Sequence, residues 1–287
     1  MIGAIEAGGT KMVCAVSDED LNIKARTRIS TENPQDTMRE MLAFFGEYEL
    51  DGLGVGAFGP IGVNPQRSDY GFIGQTPKEG WSGFDLLGAL QKEIKCPIYL
   101  TTDVNVAAYG ELKRGSAQNL QNAVYLTVGT GIGGGVIHDG AIYVGDTHPE
   151  LGHIMVKRAQ NELNGFDGVC PYHDGCLEGM ASGPSIGARA GVKANTLAED
   201  DPLWDIEADY LAQAAMSYTL SFAPQRIIFG GGVSNQSQIF PKMRKRFAEY
   251  LNNYVQVPNL DEYLVHAALG DDAGITGALL LAAEVAR

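Results

Sequence analysis

Three glycine-rich segments, each following an apolar run, are the first candidates for chemistry in this 287-residue chain. They are Gly8-Gly9-Thr10, Gly129 to Gly135 and Gly230 to Gly232. Because glycine has no Cβ, backbone N–H groups in such turns can approach a phosphate closely. Any tight turn uses glycine, but three such turns after apolar strands favour a bound nucleotide. The chain has neither P-loop spacing nor the strand-to-helix context of a dinucleotide fingerprint.

Asp103 lies between an apolar run and a helical pattern, in Thr101-Thr102-Asp103-Val104-Asn105. A carboxylate at this place is either a helix N-cap or a general base, and the sequence leaves both readings open. As a base, Asp103 would take the proton of a sugar hydroxyl while that hydroxyl attacks a γ-phosphoryl group. The end of a strand is a rigid position for such a group.

A compact cysteine and histidine cluster, Cys170-Pro-Tyr-His173-Asp-Gly-Cys176 with His153 upstream, predicts a metal site. Two thiolates and two imidazoles form a tetrahedral Zn²⁺ ligand set, and four protein ligands leave no open position, so the predicted zinc is structural. The alternative is that both cysteines are buried apolar fillers and His173 is a surface residue. The remaining histidines are predicted to be structural or surface residues: His138, His148 and His266.

The composition limits the classes of partner. Lys and Arg total 21 against 35 Asp and Glu, a formal charge of -14, which disfavours nucleic acid and anionic membrane surfaces. The opening MIGAIEAGGTK lacks the basic and apolar segments of a secretory signal, and no window approaches the ~20 apolar residues of a membrane helix. Four cysteines are too few for a disulfide-built secreted fold. We therefore expect a cytoplasmic protein.

Strands that alternate with helices must position these residues. The predicted strands are 2–7, 12–16, 53–58, 98–101, 124–128, 136–137, 226–229 and 263–266. The predicted helices are 34–45, 84–94, 104–113, 205–222, 235–251 and 273–287. A strand, a glycine turn and a second strand begin both halves, at 2–16 and 124–137, which indicates duplication. The fold class is therefore α/β, with a largely internal sheet in each half.

Taken in order, the motifs resemble the ROK family of sugar kinases over nearly the whole chain, most closely its bacterial fructokinase branch. The resemblance rests on Glu6 to Lys11, Thr102 to Glu111, Leu126 to Gly135, Glu150 to His153, Gly175 to Pro184 and Phe229 to Val233. It implies an actin-like (ribonuclease H-like) ATPase fold with two α/β domains around a cleft. Residues 1–115 would form the N-terminal domain and 116–287 the C-terminal domain, with the last helix packing back on the N-terminal domain.

The resemblance implies ATP, Mg²⁺ and a sugar as ligands, with the zinc as a structural ion. The phosphates would contact the first turn, at Gly8, Gly9, Thr10 and Lys11, and the second turn, at Thr130, Gly131, Gly133 and Gly134. The adenosine would be bordered by Pro184, Gly230, Gly231, Gly232 and Val233. Asp103 matches the catalytic base, and the sugar-contacting positions are Thr102, Asp103, Glu150 and Glu178. The zinc ligands would be His153, Cys170, His173 and Cys176.

The expected activity is ATP-dependent phosphorylation of a hexose primary hydroxyl, D-fructose giving fructose 6-phosphate. The preference for fructose follows from Gly59-Pro60-Ile61 and from Thr76 to Trp81, which are typical of the fructokinase branch. Glucose, mannose and N-acetylhexosamines are the alternative substrates. Three positions depart from the family pattern: Glu6 replaces Asp, so its Mg²⁺ contact is direct or through water; Thr102 replaces Asn; and His173 replaces a zinc thiolate.

Two non-enzymatic readings belong to the same resemblance. A transcriptional repressor of the family needs an N-terminal helix-turn-helix, and the first phosphate motif already begins at Glu6. A sugar-responsive regulator without catalysis would not need Asp103. We therefore expect an enzyme, in the form of a homodimer, whose two domains close on sugar and nucleotide.

Overall fold

The computed structural model describes all residues from 1 to 287 and divides them into two compact units. The first unit consists of Met1–Gly115, Ile142–Pro149 and Asp271–Arg287, and the second consists of Ser116–Ala141 and Glu150–Gly270. Two segments that follow residue 115 in the sequence therefore belong to the first unit. None of the helices is both long enough and apolar enough to cross a membrane.

The chain forms ten strands, nine α-helices and three short 3₁₀ turns. The strands are β1 (Ile2–Ala7), β2 (Lys11–Ser17), β3 (Ile23–Ser30), β4 (Gly52–Ala57), β5 (Ile98–Thr102), β6 (Ala123–Val128), β7 (Ile132–His138), β8 (Ala141–Ile142), β9 (Arg226–Gly230) and β10 (Leu264–His266). The helices are α1 (Pro34–Phe45), α2 (Leu86–Glu93), α3 (Asp103–Arg114), α4 (Leu177–Ala181), α5 (Gly183–Ala190), α6 (Leu203–Phe222), α7 (Ile239–Leu251), α8 (Leu260–Tyr263) and α9 (Ala273–Val285). The 3₁₀ turns are Leu151–His153, Ala194–Thr196 and Gly270–Asp272.

The first unit is built on a sheet with the strand order β3-β2-β1-β4-β5. Strand β1 pairs antiparallel with β2 and parallel with β4, and β4 pairs parallel with β5. Every residue of β4 is buried, as expected for a parallel strand covered on both faces. Helix α9 covers one face closely: a Cβ at Gly54 would lie 2.0 Å from the carbonyl oxygen of Ala278, so only glycine admits the helix there.

The register of this sheet brings three chain segments to one edge. Ala7, Ala57 and Thr102, the last residues of β1, β4 and β5, are aligned in a single row. The first glycine turn, the segment beginning at Phe58, and Asp103 therefore all start at the same place. We call this place the carboxyl edge of the first sheet.

The second unit is built on a sheet with the strand order β10-β9-β6-β7-β8. Strand β6 pairs antiparallel with β7 and parallel with β9. The long helix α6 lies in the core and buries Trp204, Tyr210 and Tyr218 almost completely. A buried ion pair between Arg189 and Glu162, 2.7 Å apart, is completed by the Tyr210 hydroxyl, which donates to Glu162 at 2.8 Å. These partners offset the cost of burying the two charges.

Strand β3 and helix α5 were not predicted from the sequence. Most residues of β3 are exposed or half-buried, because it is an edge strand, and its polar residues hide the strand pattern. Helix α5 begins with Gly183 and Pro184, which is a favourable first turn for a helix but reads as a loop in sequence.

Candidate active site and metal cluster

The first glycine turn joins β1 to β2 and offers free backbone donors. The Gly8 N–H donates to the Lys11 carbonyl at 3.0 Å, and the Thr31 hydroxyl donates to the Gly8 carbonyl at 2.8 Å. The N–H groups of Gly9 and Thr10 donate no hydrogen bond within the chain. Two free donors in a short glycine turn are an arrangement that suits an anion such as phosphate.

Glu6 lies just before this turn, and its carboxyl packs against Gly274, which has no side chain. A Cβ at Gly274, near the start of α9, would lie 2.5 Å from the Cδ of Glu6. The carboxyl of Glu6 therefore occupies space that an alanine at position 274 would take. Burial raises the pKa of Glu6, while the positive charges of Lys11 and Arg26 lower it.

Asp103 is the first residue of α3 but not its cap. The N-cap is Thr102, whose hydroxyl accepts the Asn105 N–H at 3.2 Å. The Asp103 carboxylate instead accepts the Val104 N–H at 2.9 Å. Burial raises the pKa of Asp103 to about 7, and the charge of Glu6 acts in the same direction. The helix-cap reading of Asp103 is therefore wrong, and a carboxyl with this pKa suits a general base near neutral pH.

His148 and Thr102 are neighbours of Asp103 whose surroundings become visible only in the fold. His148, predicted to be a structural or surface residue, lies close enough to Asp103 to lower the pKa of that carboxyl. No motif surrounds His148 in the sequence, so only the fold could place it there. Thr102 is 2% exposed and its hydroxyl serves the helix, so its contact with a sugar stays a prediction.

The second glycine turn joins β6 to β7 and is braced by Glu178. One carboxylate oxygen of Glu178, Oε2, accepts the Ile132 N–H at 2.8 Å. The other, Oε1, lies 3.9 Å from Nε2 of His153. The Gly183 N–H donates to the Gly129 carbonyl at 2.8 Å and ties the start of α5 to the turn. Glu178 therefore connects the turn with a histidine of the predicted metal cluster.

Glu150, the other predicted sugar ligand, directly precedes the 3₁₀ turn Leu151–His153. Its carbonyl accepts the His153 N–H at 3.0 Å, and the residue is exposed. Its backbone thus helps to place the metal-cluster histidine, and its side chain is accessible to a ligand.

A cavity of about 990 Å³ opens beside the second turn, within the second unit. Four of the predicted nucleotide residues line it: Thr130, Pro184, Gly232 and Val233. Most other lining residues were not selected from the sequence, among them Lys193, Asn195, Trp204 and Gln236. The volume lies near the upper end of the range for small-molecule sites, about 300–1,000 Å³, and is large enough for a nucleoside.

Gly230 and Gly231 do not line this cavity. A Cβ at Gly230 would lie 2.3 Å from the hydroxyl oxygen of Tyr125, and one at Gly231 would lie 2.5 Å from the Val128 carbonyl oxygen. These two glycines allow close packing against β6, and their place beside the adenosine stays a prediction. Three glycines of the predicted second phosphate loop also lie outside the cavity lining: Gly131, Gly133 and Gly134.

The four predicted metal ligands come together in the second unit. The donor atoms of His153, Cys170, His173 and Cys176 all lie within 4.8 Å of one another. Nδ1 of His153 is 3.6 Å from Sγ of Cys176 and 3.9 Å from Sγ of Cys170. A tetrahedral zinc with ordinary Zn–S and Zn–N bonds would separate sulfur and nitrogen by about 3.6 Å. The number, type and spacing of these donors therefore fit a four-coordinate zinc.

Comparison with known proteins identifies the family. The model of the ROK family matches residues 2–285. A fructokinase of Pediococcus pentosaceus is 50% identical over 282 residues, 98% of this chain and 97% of that protein. The structure of a ROK hexokinase from Thermus thermophilus matches with a TM-score of 0.80 at 25% identity, covering 98% of this chain and 97% of that one. A ROK family glucokinase from Streptomyces griseus, solved with glucose and AMPPNP, matches with a TM-score of 0.78 at 24% identity, covering 99% of each chain. The predicted actin-like ATPase fold is thus confirmed, and the chain belongs to the ROK family.

Proposed function

We propose that this protein is a fructokinase, which transfers the γ-phosphoryl group of ATP to the primary hydroxyl of D-fructose and forms fructose 6-phosphate. The observation that carries the proposal is the carboxyl edge of the first sheet. There the register places the free donors of the glycine turn and the carboxyl of Asp103 two strands apart. Two strand spacings are about 10 Å, a span suited to a phosphate and an attacking hydroxyl between them.

Asp103 acts in this proposal as the general base. Its pKa of about 7 leaves a substantial ionised fraction at neutral pH, and the ionised form takes the proton of the attacking hydroxyl. The backbone N–H groups of Gly9 and Thr10 then bind phosphate oxygens through donors that need no rearrangement. Phosphoryl transfer depends mainly on such positioning and on charge stabilisation.

The proposed ligands of the sugar hydroxyls are two carboxylates of the second unit, Glu150 and Glu178. Carboxylate oxygens accept hydrogen bonds from hydroxyls, and a hexose presents many hydroxyls. Glu178 already holds one oxygen on the Ile132 N–H, which fixes its orientation and leaves Oε1 as the acceptor. The choice of fructose rests on the relatives, since the Pediococcus pentosaceus protein named fructokinase shares half of its residues with this chain.

Two metal ions belong to the proposal. Zinc would be held by His153, Cys170, His173 and Cys176, and with all four positions taken by protein it would stabilise the segment without taking part in the reaction. Magnesium would accompany the ATP phosphates, and Glu6 is the carboxylate assigned to it, directly or through water. Mg²⁺ prefers such oxygen ligands and usually keeps several waters.

A homodimer and a cytoplasmic location, both expected from the sequence, stay predictions. The second candidate function is a glucose or mannose kinase, since a solved relative is a glucokinase with bound glucose. A regulator without catalysis is the third, and any turnover would exclude it.

The test is a substrate panel with ATP and Mg²⁺. We expect kcat/KM for fructose to exceed the values for mannose, glucose and N-acetylhexosamines, and phosphorus NMR to identify the product as the 6-phosphate. A higher kcat/KM for glucose would replace the fructokinase assignment with a glucokinase assignment. Absence of turnover on every hexose would contradict the kinase assignment itself.

A further inference from the structure

A lysine of the segment from Thr76 to Trp81, which was not selected as a site residue, lies at the first glycine turn. The Lys78 ammonium donates to the Gly9 carbonyl, in the turn whose N–H groups are free. It also lies over the ring of Phe58, 5.4 Å from the ring centroid. Phe58 directly follows β4, so this cation is at the carboxyl edge of the first sheet, where the base and the turn also lie.

The segment that carries Lys78 is anchored by the buried side chain of Trp81. Trp81 is fully buried, its indole donates to the Glu32 carbonyl at 2.7 Å, and its backbone N–H donates to the Lys78 carbonyl at 3.2 Å. The Trp81 ring meets Phe58 and Phe84 edge-on, with centroids 5.5 and 5.4 Å away. The backbone of Lys78 is thus held in place, while its flexible four-carbon stem leaves the ammonium free to pivot.

The charge of Lys78 has no acidic partner. Although the chain has 35 carboxylate residues, none lies within ion-pair distance of Lys78, whereas Lys24 and Lys242 pair with Asp18 and Asp205. The Gly9 carbonyl uses one of three ammonium donors. A half-buried cation with two unused donors, beside two free N–H groups, is arranged for an anionic ligand.

We propose that Lys78 contacts the terminal phosphate of ATP at this turn and stabilises its negative charge during transfer; this inference rests on the proposed kinase function. In the step, a bond forms from the sugar oxygen to the γ-phosphorus while the bond from that phosphorus to the ADP oxygen breaks. The electron pair of the broken bond stays on ADP, and the hydroxyl proton passes to Asp103. Lys78 remains protonated throughout and supplies only charge and hydrogen bonds.

The test compares two nucleotides that differ in the terminal phosphate. Lys78→Gln removes the charge but keeps a donor for the Gly9 carbonyl, so the turn stays capped. By calorimetry we expect AMPPNP to bind roughly 10-fold more weakly and ADP within about twofold of the wild type, with kcat lower by roughly 10²-fold. Lys95→Gln is the control, because Lys95 is exposed and also donates to backbone carbonyls, and it should change neither affinity nor kcat.

Lys78→Arg is the second variant and keeps the charge. It should retain AMPPNP affinity within about threefold, because arginine also binds phosphate. An equal loss in the Arg and Gln variants would overturn the role of the charge, and an equal loss of AMPPNP and ADP would overturn the contact with the terminal phosphate. Unchanged AMPPNP binding in an active Lys78→Gln enzyme would overturn the inference and leave the kinase function intact. If the wild type phosphorylates no hexose but Lys78→Gln still weakens the binding of AMPPNP more than that of ADP, only the proposed function would be overturned.

Discussion

The two sheets of the molecule share one strand pattern but carry different side chains. Read from the outer hairpin inward, the first runs β3-β2-β1-β4-β5 and the second β8-β7-β6-β9-β10. Each has an antiparallel hairpin with a glycine turn and two further strands parallel to the first strand of that hairpin. This common pattern agrees with the duplication indicated by residues 2–16 and 124–137.

Charged groups gather at the first turn and are fewer at the second. Around the first lie Glu6, Lys11, Lys78 and, on the same sheet edge, Asp103 with its raised pKa. The second turn has glycines, the bracing carboxylate of Glu178 and the 990 Å³ cavity. One scaffold can therefore serve two purposes: we infer that the first unit does the chemistry and that the second binds the nucleoside and the zinc.

The largest expected effect comes from the base. Asp103→Asn keeps the shape of the side chain but cannot accept the proton, so kcat should fall by roughly 10²–10⁴-fold with a smaller change in the KM for sugar. Steady-state kinetics with fructose and ATP measures both. Asp85→Asn is the control: Asp85 caps α2, asparagine also caps helices, and the same charge is lost. A near-normal kcat in Asp103→Asn would contradict the assignment of the chemistry to the first unit.

Loss of the metal should affect stability more than catalysis. Cys176→Ser removes one of four ligands, and since structural zinc contributes several kcal/mol, the Tm should fall by roughly 10 °C. Elemental analysis of the wild type should give one zinc per chain. Cys96→Ser, a half-buried thiol outside the cluster, is the matched control and should change the Tm little. Full thermal stability of Cys176→Ser, or no zinc in fresh protein, would contradict the metal assignment.

A smaller and more selective effect is expected in the cavity of the second unit. A Cβ at Gly232 would meet no heavy atom within 4 Å, and the residue lines the cavity. Gly232→Leu should therefore fold normally but fill space that we assign to the nucleoside, raising the KM for ATP roughly 10–100-fold with kcat nearly unchanged. Gly232→Ala, which adds one methyl group, is the graded control. A fall in kcat without a change in KM would argue against a purely binding role.

Much of the fold and of the candidate site was predicted from local sequence patterns. Most features that were missed depend on contacts between residues far apart in the chain. The hairpins were evident because their strands are continuous apolar runs, and the metal cluster because three of its ligands stand close together at Cys170, His173 and Cys176. The place of Lys78 at the first turn was missed, although its segment was used to favour fructose, because its partner, Gly9, is 69 positions away in the sequence. Strand β3 was missed because an exposed edge strand does not need an apolar pattern.

The glycines from Gly230 to Gly232 show a further limit of prediction from sequence. Three consecutive glycines at the end of β9 looked alike in the sequence, yet only Gly232 of the three lines the cavity. Gly230 and Gly231 are required by packing against Tyr125 and Val128. A motif records that a side chain is absent, but only the fold shows whether a ligand or the protein itself fills the space.

The pH dependence of kcat/KM for fructose is the sharpest test of Asp103 as the general base, because it reports the ionisation of the free enzyme's base. Burial raises the pKa of Asp103 to about 7, and the base works in its ionised form. The value of kcat/KM is therefore expected to rise with pH and to level off above about 7. A profile that is flat between pH of about 5 and about 8, with the protein folded throughout, would contradict Asp103 as the base and the assignment of the chemistry to the first unit.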